Sequence, residues 1–335
     1  MALRRGIGLA LLLLAVAFPL CVLAEESALW SQADARGIGA VQSLQFATWD
    51  GTLYMGAAFT SPNEVRIYRM GQNATEVGTL STVGVPTIAL SSSGDLAIAE
   101  VADNSAYYSV TVWNLPTQTT QSYSTVVPAA TMLLGVAFTG GGVVAVYGLL
   151  GEQYRQAIFW ATGDTAVSTM PATLSSSRWY PRGDVSMNAS ATALGVSDNT
   201  GVYTWHPGSK ACNFYQLPDV ALLDMNPAGN LIAAFSAGDH ALVMLDAPSG
   251  TELWRQPLWQ CLSVAFSVDG SLVAADTPDG VVSVFAAQSG NLIGSIDYSS
   301  RGSAYSSSSA VALSYGGEWI ATVFDDHQVL FWHKE

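Results

Sequence analysis

A short unit recurs along this chain at intervals close to forty residues, and that recurrence limits the possible folds more than any single residue does. The clearest copy runs from Phe266 to Gly294, FSVDGSLVAADTPDGVVSVFAAQSGNLIG. Apolar and small residues alternate in it, interrupted at Asp269-Gly270, Asp279-Gly280 and Ser289-Gly290. Such residues tolerate the backbone angles of tight turns, so the stretch reads as three short strands joined by turns. The stretch from Met225 to Trp254 follows the same plan 41 residues earlier. Further copies carry their first turn at Gly51, Gly94, Gly141, Ser190 and Gly317; with Gly229 and Gly270 included, the intervals are 43, 47, 49, 39, 41 and 47 residues.

A period of this length, with about four strands per copy, marks the blades of a β-propeller. The third strand of each copy ends on a large apolar residue: Tyr68, Trp113, Trp160, Trp205, Leu245, Phe285 and Trp332. Each blade must pack against its neighbour, which explains the recurrence better than a cofactor stacked on these rings. The seventh copy stops at Glu335 after three strands, while SALWSQADA precedes the first copy as a strand-like segment without a place. If it supplies the outer strand of the last blade, no open edge remains. The expected fold is all-β: a seven-bladed β-propeller of four-stranded antiparallel blades, its ring closed by the N-terminal strand. It forms a single domain over residues 25–335.

Residues 1–24 differ in kind. Arg4 and Arg5 precede GIGLALLLLAVAF, and Val22-Leu23-Ala24 carries small residues where a signal peptidase reads, so this segment is expected to be a signal peptide cleaved before Glu25. The alternative is an uncleaved anchor, since Gly6 to Ala24 is about long enough to span a bilayer. No later segment is apolar enough to cross a membrane. Cleavage leaves 10 Lys and Arg against 26 Asp and Glu, a formal charge near −16. That surface disfavours nucleic acid and anionic lipid heads as partners, and it keeps a secreted protein soluble as a monomer.

Cysteine usage gives no disulfide framework. Cys212 and Cys261, the two in the mature chain, are expected to open the outer strand of the fourth blade and the inner strand of the sixth, at opposite faces and too far apart to pair, and so remain free thiols. Asn73 in Asn-Ala-Thr and Asn188 in Asn-Ala-Ser match the N-glycosylation pattern near expected turns.

Each copy has a turn, a strand, an Asp-containing turn and a strand ending in Trp or a substitute, and in this the copies resemble WD repeats. The resemblance implies that the second-turn acids, Asp103, Asp198, Asp239, Asp279 and Asp326, tie their turns by hydrogen bonds. No copy has Asp after its Trp, and the Gly-His pair before the first strand is absent, so the family's Asp-His-Ser/Thr-Trp network is not expected. A weaker resemblance links MLDAPSGTELWRQ, Met244 to Gln256, to the Gly-x-x-x-Trp repeat of pyrroloquinoline-quinone-type propellers, where the Trp docks blades together.

Chemistry is sparse. Asp325-Asp326-His327 is the densest polar cluster, but a turn explains it better than an acid–base or metal fragment. No Ser-His-Asp order, phosphate loop or metal-spaced ligand set emerges, so no catalytic, metal or cofactor residue is assigned and no cofactor is expected. A surface remains. Loops leading into first strands and loops between second and third strands share one face, which carries Tyr107, Tyr108, Tyr154, Arg155, Trp179, Tyr180, Arg182, Trp259, Arg301 and Tyr305. Aromatic and Arg residues anchor protein interfaces. Arg182-Gly183-Asp184 also resembles an integrin-recognition tripeptide. The expected function is a secreted, non-catalytic scaffold that binds a protein or peptide on this face. The alternatives are a propeller enzyme of lactonase or quinoprotein type working at the central channel, or a membrane-anchored surface scaffold.

Overall fold

The computed structural model describes residues 29–37, 39–101, 107–126, 131–138, 144–150, 156–162, 167–171, 184–299, 310–324 and 328–335. Within them the chain is all-β, with seven four-stranded antiparallel sheets. Their first strands are β2 (Ala40–Trp49), β6 (Pro86–Leu90), β10 (Thr131–Phe138), β14 (Val185–Met187), β18 (Val220–Met225), β22 (Ser263–Phe266) and β26 (Val311–Leu313). Six sheets take their strands in chain order. In the last, β26 is followed by β27 (Trp319–Phe324), β28 (Gln328–Lys334) and then β1 (Trp30–Gly37). There Trp30 faces Lys334 and Gly37 faces Gln328. Glu335 N donates to Leu29 O at 3.0 Å beyond the end of that ladder.

The fifth sheet explains why the chain is so rich in Ala. β19 (Leu231–Ser236) is buried at every position and β20 (Ala241–Asp246) at all but its last, while β21 (Thr251–Pro257) alternates. Middle strands are covered on both faces, so they are apolar throughout; the fourth strand is covered on one face and alternates. Second strands carry small residues where neighbouring sheets approach closely: Ala57-Ala58, Ala97, Ala99, Ala233-Ala234, Ala274-Ala275 and Ala321 are all buried. The large residues that end the third strands, Tyr68 through Trp332, are buried as expected. Each hydrophobic cluster joins two sheets. One combines Ala58, Ile67 and Val65 with Ile88, Ile98 and Trp113; another combines Phe46, Met55 and Tyr68 of the first sheet with Trp319, Val329 and Phe331 of the last.

Tryptophan rings fill hollows left by glycines of adjacent sheets. A Cβ on Gly290 would lie 2.7 Å from the Trp254 ring, and one on Gly94 would lie 2.7 Å from the Trp49 ring. Trp254 Nε1 also donates to Ala287 O at 2.7 Å, so it docks the fifth sheet on the sixth. Trp332 Nε1 donates to Thr322 Oγ1 at 3.0 Å, while Trp205 Nε1 finds Ser209 O at 3.2 Å. A Trp–Thr pair therefore exists in the last sheet.

The turns after five of the first strands reuse one device. Asn188 Oδ1 accepts from Thr192 N and Ala193 N, and Asn226 Oδ1 accepts from Asn230 N and Leu231 N. Ser91, Ser267 and Ser314 accept from the N–H of Asp95, Leu272 and Trp319 through their hydroxyls. A side-chain oxygen here satisfies backbone donors that the narrow turn cannot pair. Asn188 is only 3% exposed, and its amide nitrogen also donates to Thr192 Oγ1 at 3.0 Å. The folded chain thus encloses this sequon, whereas Asn73 is exposed between β4 (Asn63–Arg69) and β5 (Thr75–Ser81). Asn188→Ala strands two backbone donors and is expected to cost about 2 kcal/mol, read as a lowered urea midpoint at unchanged m-value. An unchanged midpoint would mean that water replaces the amide at no cost.

The acids of the second turns divide. Asp198 ties its own turn, accepting from Thr200 N, Thr200 Oγ1 and Gly201 N at 2.7–3.0 Å. Asp239 does not: Ser236 Oγ accepts from Asp239 N, and the Asp239 carboxylate pairs with Arg255. In the sixth sheet Thr277 takes the tying role, its Oγ1 donating to Val281 O at 2.9 Å, and Asp279 is exposed. The expectation of a uniform Asp role fails at these two turns because Ser236 and Thr277 reach the backbone first. Asp103 and Asp326, with Asp325 and His327, lie outside the described residues.

Candidate functional site

Backbone hydrogen bonds stitch an arc of turns and connections along one end of the fourth, fifth and sixth sheets. Asp219 N donates to Asn199 O at 3.1 Å, Ala237 N to Asp219 O at 2.9 Å and Leu258 N to His240 O at 2.8 Å. Leu262 N then donates to Asp276 O at 2.8 Å, and Tyr298 N to Gly280 O at 2.9 Å. Each connection between sheets is therefore pinned to the second turn of a sheet it joins. A loop held this way presents its side chains from a rigid frame.

Trp259 stands on this arc, 72% exposed. It lies in the connection between β21 and β22, the position from which the sequence assigns it to a binding face. Its ring stacks on His240, centroids 4.3 Å apart at 17°. His240 comes from the turn between β19 and β20 in the left-handed region, φ 49°. Its Nδ1 lies 3.2 Å from Trp259 O. One face of the indole is thus covered by imidazole and held in place. Beside it, Arg255 donates to Asp239 at 2.6 Å and to Glu252 at 2.9 Å. The bonds to Glu252 and then Asp239 push the guanidinium above its ordinary pKa, and the Arg255 bond draws Glu252 below its own. Within the connection, burial raises the Cys261 thiol to about 12, which keeps it un-ionised near neutral pH. Cys261 precedes β22 by two residues instead of opening it; Cys212 opens β17 (Cys212–Gln216), and both are free.

A second cluster of charge lies along the first strands. Asp184 Oδ1 accepts from Val185 N at 2.9 Å and Oδ2 from Leu223 N at 3.0 Å, which ties β14 to β18. Asp224 accepts from Ser186 Oγ at 2.7 Å, Met225 N at 2.9 Å and Phe266 N at 2.8 Å, which ties β18 to β22. Gln45 Oε1 and Ser263 Oγ make the same kind of tie to Leu90 N and Val311 N. Burial pushes the Asp184 carboxyl up to about 6, against two backbone bonds that pull it down, with Asp224 adding to the rise. Asp224 is raised by burial too. These acids serve as staples between sheets. Asp184 is the acid of the Arg-Gly-Asp tripeptide, and each of its oxygens already accepts a backbone bond, from Val185 and from Leu223.

Of the other residues assigned to the face, Tyr107 and Tyr108 open β8 (Tyr107–Asn114), opposite Val126 and Thr125. Tyr154, Arg155, Trp179, Tyr180, Arg182, Arg301 and Tyr305 lie outside the described residues. The sequence assignment missed His240, which Gly-Asp-His in a second turn could have signalled. It also missed Asp224, whose strand ALLDM resembles any half-buried strand. Among the described residues no group of three or more His, Cys, Asp and Glu is placed to hold a metal ion, and no helix is long and apolar enough to cross a membrane. Comparison with known proteins finds no matching family model and no matching curated protein.

Proposed function

We propose that this chain is a secreted, non-catalytic, seven-bladed β-propeller that binds a protein or peptide on the face bearing Trp259. Several features support the ring. The first strands neighbour one another in succession, β26 also lies beside β2, and the cluster of Phe46, Met55, Trp319 and Phe331 joins the last sheet to the first. In this reading β1 closes the ring as the outer strand of the last blade. The single observation that carries the binding role is the exposed Trp259 stacked on His240. A rigid, half-covered aromatic loses little entropy on contact, which is why Trp dominates interface hot spots.

Affinity capture from the secreted fraction, with wild type and Trp259→Ala side by side, tests this. The variant is expected to keep its melting temperature, because the ring is exposed, and to lose the specifically retained partner. Undiminished retention would overturn the assignment of the face.

A further inference from the structure

The stitched arc is one-sided in charge. Its described residues, 198–200, 217–219, 237–240, 258–262, 277–280 and 298–299, contain no Lys or Arg. They do contain Asp219, Asp239 and Asp279, all exposed, flanking the turns on either side of Trp259. Arg255, which reaches this region from β21, is fully engaged by Asp239 and Glu252. The open face of the indole therefore belongs to a set of turns that carries Asp219, Asp239 and Asp279, with no Lys or Arg among the arc's described residues. Trp is the strongest side-chain platform for a cation, and neighbouring carboxylates supply the remaining charge. The whole chain, at −14, adds a steering field of the same sign.

We propose that the Trp259–His240 platform takes a basic peptide segment, with one Lys or Arg head seated on the free face of Trp259 and its neighbours against Asp219 and Asp279. This deepens the binding role proposed above and rests on it. The occupant is a peptide cation rather than an acidic or purely apolar segment, because among the arc's described residues Trp259 is the large aromatic that stands exposed, and Asp219, Asp239 and Asp279 are exposed around it in the chain.

Fluorescence anisotropy with three labelled decapeptides, Lys/Arg-rich, neutral and Glu/Asp-rich, tests the proposal on the full chain at two salt concentrations. The basic peptide is expected to bind, to weaken at least tenfold on Trp259→Ala, and to weaken severalfold on Asp219→Asn with Asp279→Asn. Trp259→Phe is expected to restore part of the affinity, which loss of folding would not allow. Asn suits position 219, where φ is 50°. Basic-peptide binding that ignores Trp259→Ala would be diffuse charge attraction and would overturn the proposal. Trp259-dependent binding of the neutral or acidic peptide would overturn the basic specificity and keep the face. If no peptide's binding depends on Trp259, both fall.

Discussion

Gly290→Ala is expected to destabilise the chain by about 3 kcal/mol. Gly290 has φ 70°, a conformation that costs a side-chain-bearing residue roughly 1–2 kcal/mol. A Cβ there would also sit 2.7 Å from the Trp254 ring, and overpacking of this kind adds about 1–3 kcal/mol. Gly208 supplies the control. It has φ 84°, yet a Cβ there meets nothing within 4 Å, so Gly208→Ala should carry the conformational cost alone, about 1 kcal/mol. Denaturant unfolding of both variants isolates the ring contact as their difference. Equal losses would mean that Trp254 swings aside and does not dock the fifth sheet on the sixth. A double variant with Trp254→Leu should recover much of the extra loss, because the two residues share one contact.

Asp184 gives the second large effect, and its sign is opposite to that of an ordinary paired acid. Folding raises this carboxyl from 3.8 to about 6, so the folded chain holds a proton that the unfolded chain has released. The burden of the buried charge is in full force above pH 6 and disappears as the pH falls from 6 towards 4. Stability assigned to this group therefore rises with acidification, by up to about 3 kcal/mol at 1.36 kcal/mol per pKa unit. The carboxylates held below their ordinary range, Asp269, Asp297 and Glu252, work the other way at lower pH. Asp184→Asn removes the titration but replaces one acceptor with a donor at Val185 or Leu223. It should flatten the rise in unfolding free energy between pH 6 and pH 4. Parallel wild-type and variant profiles would show that Asp184 stays ionised throughout.

The architecture was legible in the sequence because its determinants are local and repeated. Turn residues at Asp269-Gly270 and Asp279-Gly280, the Ala pairs of second strands and the bulky ends of third strands each encode one step of a four-stranded sheet. The contacts between sheets were less legible. Nothing adjacent to Asp224 announces that its carboxylate caps Phe266, 42 residues away, because that partner is set by how two sheets meet. The Asp-turn expectation failed at Asp239 for a related reason: Ser236, three residues earlier, ties the turn by accepting from Asp239 N, and Arg255 draws the acid outward. At the site, Trp259 was found by residue type. Its stacking on His240 could not be, since the two belong to different loops that the Leu258–His240 backbone bond and the His240 Nδ1 contact with Trp259 O bring together.

The pairing of β1 with β28 has a mechanical consequence. The two strands are antiparallel, with Trp30 opposite Lys334, so both chain ends leave the sheet at the same edge. Tension applied between them loads first the Glu335–Leu29 bond and then the Trp30–Lys334 rung, and opens the ladder one rung at a time towards Gly37 and Gln328. Shear, by contrast, would load every rung at once. An unfoldase drawing on either terminus would thus meet the last sheet at its weakest geometry, and peeling away β1 would bare the edge of β28, lift Trp30 from its packing on the sixth sheet and break the Arg36 bond to Ala74 O of the first.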